Sequence, residues 1–161
     1  MCNEVTIRDY AAEDADGLFG LMRELQRDLI PLDDRMLPLD QLAPPYRDSV
    51  LAECAAAKGK AIVADDAGRL VGYATVLLDI PCDKRDEIPH SYAFVGELLV
   101  TRDARGRGIG TRLLAACERF AREGGAQWLR IEALAGNIDA RRLYARSGFA
   151  DRLIEMEKPL R

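Results

Sequence analysis

Residues 100–114 read Val100-Thr101-Arg102-Asp103-Ala104-Arg105-Gly106-Arg107-Gly108-Ile109-Gly110-Thr111-Arg112-Leu113-Leu114. A strand end, a turn of arginines and glycines, and the opening of an amphipathic helix follow one another here. Upstream, Ala93-Phe94-Val95-Gly96-Glu97-Leu98-Leu99-Val100 is apolar and partly β-branched, the pattern of a well-buried strand. Downstream, Ile109, Leu113, Leu114, Cys117, Phe120 and Ala121 recur at helical spacing and form one apolar stripe.

Such a junction has a physical consequence. Glycines at alternate positions strip the turn of Cβ atoms, so a ligand can approach the backbone closely. The first N–H groups of a helix lack intrahelical partners and point out of its N-terminus. With the helix dipole they form an anion site, and phosphate is the usual occupant. Arg105 and Arg107, with Arg102 and Arg112 nearby, add formal positive charge. The plain alternative is a glycine-softened turn beside a solvated basic face. Two other phosphate loops fail on detail. A P-loop needs a lysine after its last glycine, and none follows here. A dinucleotide fingerprint, counted from Gly108, needs glycine where Leu113 stands. Glu132, at the end of the next expected strand, sits where a ribose-binding acid would be and keeps that reading open as a third choice.

The spacing Arg105-x-x-Gly108-x-Gly110 is similar to the R/Q-x-x-G-x-G/A pyrophosphate loop of the GNAT superfamily of acyl-CoA-dependent N-acyltransferases. Downstream, Asn137-x-x-Ala140-x-x-Leu143-Tyr144-x-x-x-Gly148-Phe149 resembles that family's second signature. Two motifs in the right order, separated by the right elements, are far more specific than either alone. The likeness is strong over residues 93–158 and holds only in outline before them.

The resemblance implies a fold and a chemistry. The fold is α/β, a mixed and mostly antiparallel central sheet with splayed central strands, flanked by helices. Pantetheine would lie in the splay, between Glu97 to Val100 on one side and Trp128 to Leu134 on the other. The main chain of Arg105, Gly106, Arg107, Gly108, Ile109, Gly110 and Thr111 would hold the pyrophosphate of acetyl-CoA, the co-substrate. The main chain of Leu99 and Val100 would meet the acyl arm, with an N–H near Leu99 polarising the thioester carbonyl. An unprotonated amine would attack that carbonyl directly in a ternary complex. Tyr144, on the motif's tyrosine, would protonate the departing thiolate, or else pack as a core ring. Asn137 would bond pantetheine or cap its helix.

Glu97 stands out from the residues themselves, as the acid inside the central apolar strand. Partial burial suits it to general-base work; a substrate anchor and a salt-bridged structural carboxylate are its other readings. Aspartates in the proline-bearing linker (Asp33, Asp34, Asp40) and in the 79–87 loop (Asp83, Asp86, with Glu87) suggest a cationic acceptor. The acceptor classes, in order, are a small amine, an aminoglycoside-like drug, and a protein or peptide amine. A non-catalytic acyl-CoA sensor on the same fold is the alternative of a different class.

Composition agrees with this. At 161 residues the chain is read as one domain, residues 1–161, large enough for a core without staples. A formal charge of −4 argues against nucleic acid as a bulk partner. Cys2, Cys54, Cys82 and Cys117 are far apart, and His90 is the one histidine, so no zinc site or other metal is expected. The cysteine pattern fits a reducing compartment. With no basic-then-apolar leader and no bilayer-length apolar run, the cytoplasm is the expected location and no membrane partner is expected. A homodimer is open.

Along the chain, Val5–Arg8 alternates as a first strand, and Asp14 is the expected cap of a helix carrying Leu18, Met22, Leu25 and Leu29. A second helix is expected over Tyr46–Lys58. Ala61–Ala64 and Leu70–Leu78 flank the turn Asp65-Asp66-Ala67-Gly68 as a hairpin. After the central strand and the glycine helix, which closes at Gly124-Gly125, Trp128–Ala133 reads as a strand. Asn137 to Arg146 reads as a helix, and Phe149 to Glu157 as the last strand or strands.

Overall fold

A computed structural model describes residues 4–82 and 84–160. Its sheet has five strands in sequence order: β1 (Thr6–Asp9), β2 (Lys60–Asp66), β3 (Arg69–Pro81), β4 (Ser91–Val100) and β5 (Leu129–Ile131). The pairings β1–β2, β2–β3 and β3–β4 are antiparallel, whereas β4 and β5 run parallel. Four helices flank it: α1 (Ala15–Leu29), α2 (Pro45–Ala56), α3 (Ile109–Glu123) and α4 (Ile138–Arg146). The mixed, mostly antiparallel sheet expected from the sequence is the one observed.

Helices on both faces explain why β2 and β3 read as continuous apolar runs rather than alternating ones. Val63, Tyr73 and Leu99 pack with Leu18, Leu21 and Met22 of α1 on one face. Ile62, Ala74, Val76 and Val95 pack on the other face with Ile109, Leu113, Leu114 and Cys117 of α3. The α3 stripe read from the sequence is thus the buried one. Truncating the fully buried Leu113 to alanine would cost about 2–5 kcal/mol.

Two expectations are corrected. Asp14 does not cap α1 with its side chain. Its carboxylate instead takes Arg8 Nη1 and Nη2 at 2.7 and 2.8 Å and the Ala11 N–H at 2.9 Å. A charged fork on β1 outcompetes a neutral amide. The second correction is the last strand, for no strand follows α4 among the described residues. The tail instead carries ion pairs to distant loops: Arg152 to Glu87 at 2.8 Å and Glu157 to Arg35 at 2.8 Å. The three residues of β5 offer it few ladder bonds in return, and Leu153, Ile154 and Met156 stay exposed.

Candidate active site

Strand β4 ends at Val100, passes through a single 3-10 turn at Arg102–Ala104, and reaches α3 through Arg105-Gly106-Arg107-Gly108. Gly106 and Gly108 hold φ of 77° and 74°, a left-handed conformation that side chains rarely adopt. A Cβ built at either would meet no heavy atom within 4 Å, so the loop presents bare main chain to open space. Arg112 is the first helical residue to donate back, to the Gly108 carbonyl at 3.1 Å. The amides of Ile109, Gly110 and Thr111 therefore head the helix without intrahelical acceptors, the arrangement that receives anions. Gly110 has another purpose. Its Cβ would fall 2.9 Å from Leu143 Cδ2, so its bareness lets α4 close onto α3.

The arginines of the loop are already engaged. Arg102 and Arg105 share Asp28 of α1 at 2.6 and 2.5 Å, and Arg107 reaches Asp66 at 2.9 Å. Arg112 Nη2 donates to the Val5 carbonyl at 2.8 Å. Two carboxylates thus offset part of the charge of four arginines, and the amides and dipole add to what remains for an anion.

In front of this loop the sheet parts. Strand β4 pairs with β5 only from Ala93 to Val95, and then runs on alone to Val100. Thr101 donates its N–H to Val71 of β3 at 2.9 Å. Strand alternation turns the Leu99 amide to β3 in the same way, and leaves the main chain of Leu98 and Val100 facing the gap. The Val100 carbonyl on that side accepts Arg105 Nε at 3.0 Å. The N–H groups that face the gap are therefore those of Leu98 and Val100, on either side of Leu99.

Glu97 lies at a bulge. Ala74 pairs with Leu98 but Val76 with Val95, so Gly96 and Glu97 together face Thr75. Thr75 Oγ1 accepts the Glu97 N–H at 2.9 Å, and the Glu97 side chain turns to the face covered by α1 and α2. Its Oε2 accepts the Tyr73 hydroxyl at 2.7 Å, and its Oε1 accepts the hydroxyl of Tyr46 on α2. Burial, then the Glu97 charge, holds both phenols above their usual range, so each remains a donor. Neither tyrosine is marked by a motif. Tyr73 alternates with apolar neighbours on β3, and Tyr46 follows Pro44-Pro45; only their contacts with Glu97 reveal them.

Tyr144 packs against Phe149 with ring centroids 6.1 Å apart, in the core on the α3 side. Burial alone pushes its phenol up to about 12. Asn137 caps α4, its Oδ1 accepting the Ala140 N–H at 3.2 Å. Of the loop acids, Asp33 is held by Arg35 at 2.8 Å and Glu87 by Arg152, while Asp83 lies outside the described residues, as does Cys2. Cys82, Glu87 and His90 bring possible metal-ligand atoms within 4.8 Å of one another. Guanidinium groups already engage two of them, since Arg130 Nη2 lies 2.8 Å from His90 Nε2. Among the described residues, no helix is long and apolar enough to cross a membrane.

Bare main chain at a helix mouth thus stands in front of a parted parallel strand pair. The family model described as the acetyltransferase (GNAT) family matches residues 22–149. The chain belongs to the acetyltransferase (GNAT) family. Within curated proteins, it is 30% identical to an IAA acetyltransferase of Azospirillum brasilense, with 99% of this chain and all of that one covered. It is 34% identical over 74 residues to an uncharacterised N-acetyltransferase, YycN, of Bacillus subtilis (strain 168). That second match spans 46% of this chain and about half, 47%, of the relative. Its fold is shared with the aminoglycoside N-acetyltransferase AAC(6′)-Iy, solved with the bisubstrate analogue CoA-S-monomethyl-acetylneamine. There the TM-score is 0.71 at 19% identity, over 97% of this chain and 99% of that one. Family membership thus accounts for the mixed sheet, the splay at β4 and the glycine loop together.

Proposed function

We propose that this GNAT-family chain transfers an acetyl group from acetyl-CoA to a primary amine, with a small amine as acceptor, by direct attack in a ternary complex. The observation that carries the reading is the juxtaposition of bare amides at the mouth of α3 with the gap between β4 and β5. Residues 105–111 fit a diphosphate because no described residue fills the space beside Gly106 and Gly108. Acetyl-CoA supplies the electrophilic carbonyl and the leaving sulfur. The chain's own groups do the rest. The amides at the head of α3 hold the diphosphate, and the main chain of Leu98 and Val100 orients and polarises the acyl arm.

Glu97 accepts the proton that the acceptor nitrogen must lose before or as it attacks. Two oxygens that already hold one phenol each still have lone pairs free. Tyr144 acts as a donor on the leaving side. A phenol held near 12 keeps its proton against a thiolate of pKa ~8.5, so it stabilises the charge growing on sulfur through a hydrogen bond rather than surrendering the proton outright. Asn137 is engaged as a cap through Oδ1, and its amide nitrogen remains available to the acyl arm.

The test is free-thiol release with acetyl-CoA and an amine panel, alongside thermal shift with acetyl-CoA, CoA and NAD. A ligand at 100 times its Kd stabilises by about 2.7 kcal/mol. Stabilisation by acetyl-CoA with amine-dependent thiol release supports the reading. Stabilisation without release from any amine would favour a sensor, and stabilisation by NAD alone would refute both.

A further inference from the structure

The surroundings of Glu97 are unequal on its two oxygens. Oε2 faces Tyr73, which is fully buried and packs with Leu18, Leu21 and Met22 of α1, and so has no room to turn. The main chain is fixed too, by the bond from the Glu97 N–H to Thr75. Oε1 faces Tyr46, which is 38% exposed. Tyr46 stands in the first turn of α2, whose start is pinned by Tyr46 N to Ala43 O at 2.9 Å and Arg47 Nη1 to Ala15 O at 3.2 Å. Of the two phenols on Glu97, that of Tyr46 is thus the one on a solvent-exposed residue.

Resting on the acetyltransferase reading, we infer that Tyr73 is the positioning residue of Glu97 and that the Tyr46 hydroxyl stands where an N–H of the acceptor amine bonds Oε1. A phenol O–H and an amine N–H are both donors, so the exchange keeps the carboxylate oxygen satisfied, whereas an apolar group there would leave it short. The titratable groups around the carboxylate are Tyr46, Glu53 and Cys54 from α2 and Tyr73 from β3, while α1 contributes apolar side chains. Among the described residues no cationic side chain bonds Glu97, and Glu53 adds a second carboxylate on the same side, so the amine is drawn in as its cation. Its proton passes to Glu97 Oε1. The freed lone pair forms the C–N bond, the C–S bond breaks with its electron pair leaving on sulfur, and the second proton that the acylated nitrogen sheds as the amide forms is taken up by that thiolate.

The test compares Tyr73→Phe and Tyr46→Phe using the best amine of the panel, together with 13C NMR of tyrosine-labelled protein. Tyr73→Phe is expected to lower kcat about tenfold or more with the amine KM little changed, because the carboxylate loses the donor that fixes its direction. Tyr46→Phe is expected to lower the amine KM. In the spectrum, Glu97→Gln moves the resonances of both Tyr46 and Tyr73, and saturating amine moves that of Tyr46 alone. An unchanged kcat in Tyr73→Phe, a raised KM in Tyr46→Phe, or resonances indifferent to Glu97→Gln would each overturn the inference. Turnover with an unmoved Tyr46 resonance rejects it while leaving the acetyltransferase reading intact. No turnover with any amine rejects that reading, and with it the acceptor role of Tyr46.

Discussion

Asp28, near the end of α1, receives Arg105 Nη2 at 2.5 Å, tying the first helix to an anion loop 77 residues further along the chain. Arg102 joins on the other oxygen. Burial raises the Asp28 carboxyl, but the two guanidiniums outweigh it and hold the group below the usual aspartate range. Asp28→Asn should release both arginines toward a bound diphosphate. The expected result is CoA affinity raised about threefold at low salt and less at high salt, because exposed charges are screened. Stability should fall by no more than about 1 kcal/mol, since the Arg102 and Arg105 side chains are 69% and 46% exposed. Calorimetric titrations at two ionic strengths check this.

Two glycines of the loop should separate in a denaturant series. Gly108→Ala forces a side chain into φ 74° and should cost about 1–2 kcal/mol. Gly110→Ala sets a Cβ against the tip of Leu143, which can give way, and gains about 1 kcal/mol of helix propensity. Its net effect should stay within about 1 kcal/mol of zero.

What could be read from the chain follows from the range of the interactions. The glycine loop, the α3 stripe and the β2–β3 hairpin are local patterns, and all three stand where the residues put them. The oddness of Glu97 in an apolar strand was likewise visible. Its partners were not, because Tyr73 and Tyr46 meet it from 24 and 51 residues away. The same holds for Arg105 and Asp28, whose pairing offsets part of the positive charge that the loop carries in sequence. Asp14 and the tail misled for a related reason. Arg8 on a neighbouring element, and Glu87 and Arg35 on distant loops, bid for groups that local rules assign to a cap and a strand.

Tyr144→Phe keeps the ring packed on Phe149 and removes only the donor. The account expects kcat to fall about tenfold to a hundredfold, with the melting temperature nearly unchanged. Because burial holds this phenol protonated up to about 12, the native pH–rate profile should show no decline from it through the alkaline range. Steady-state kinetics with thermal denaturation of both proteins check the pair of expectations.

Asp14 gives the fold an acid-sensitive anchor. Its bond to Arg8 holds its carboxyl below 3.8, against the opposing pull of burial. A group depressed in the folded state contributes stability that is fully present above its unfolded value and is lost as pH falls through the folded one. Stability should therefore drop as pH is lowered below about 3.8, and Asp14→Asn should flatten that dependence. At neutral pH the variant should lose about 2 kcal/mol, discounted for an Arg8 side chain that is 34% exposed. Urea unfolding from neutral to acidic pH measures both.

The central claim is that bare main chain at the head of α3 grips the diphosphate of the acyl donor. A crystal structure of the protein with coenzyme A tests it most directly. The account predicts diphosphate oxygens within about 3.2 Å of amide nitrogens in the stretch 105–111, with the pantetheine arm running between β4 and β5. A diphosphate bound elsewhere, with that loop vacant, would contradict it.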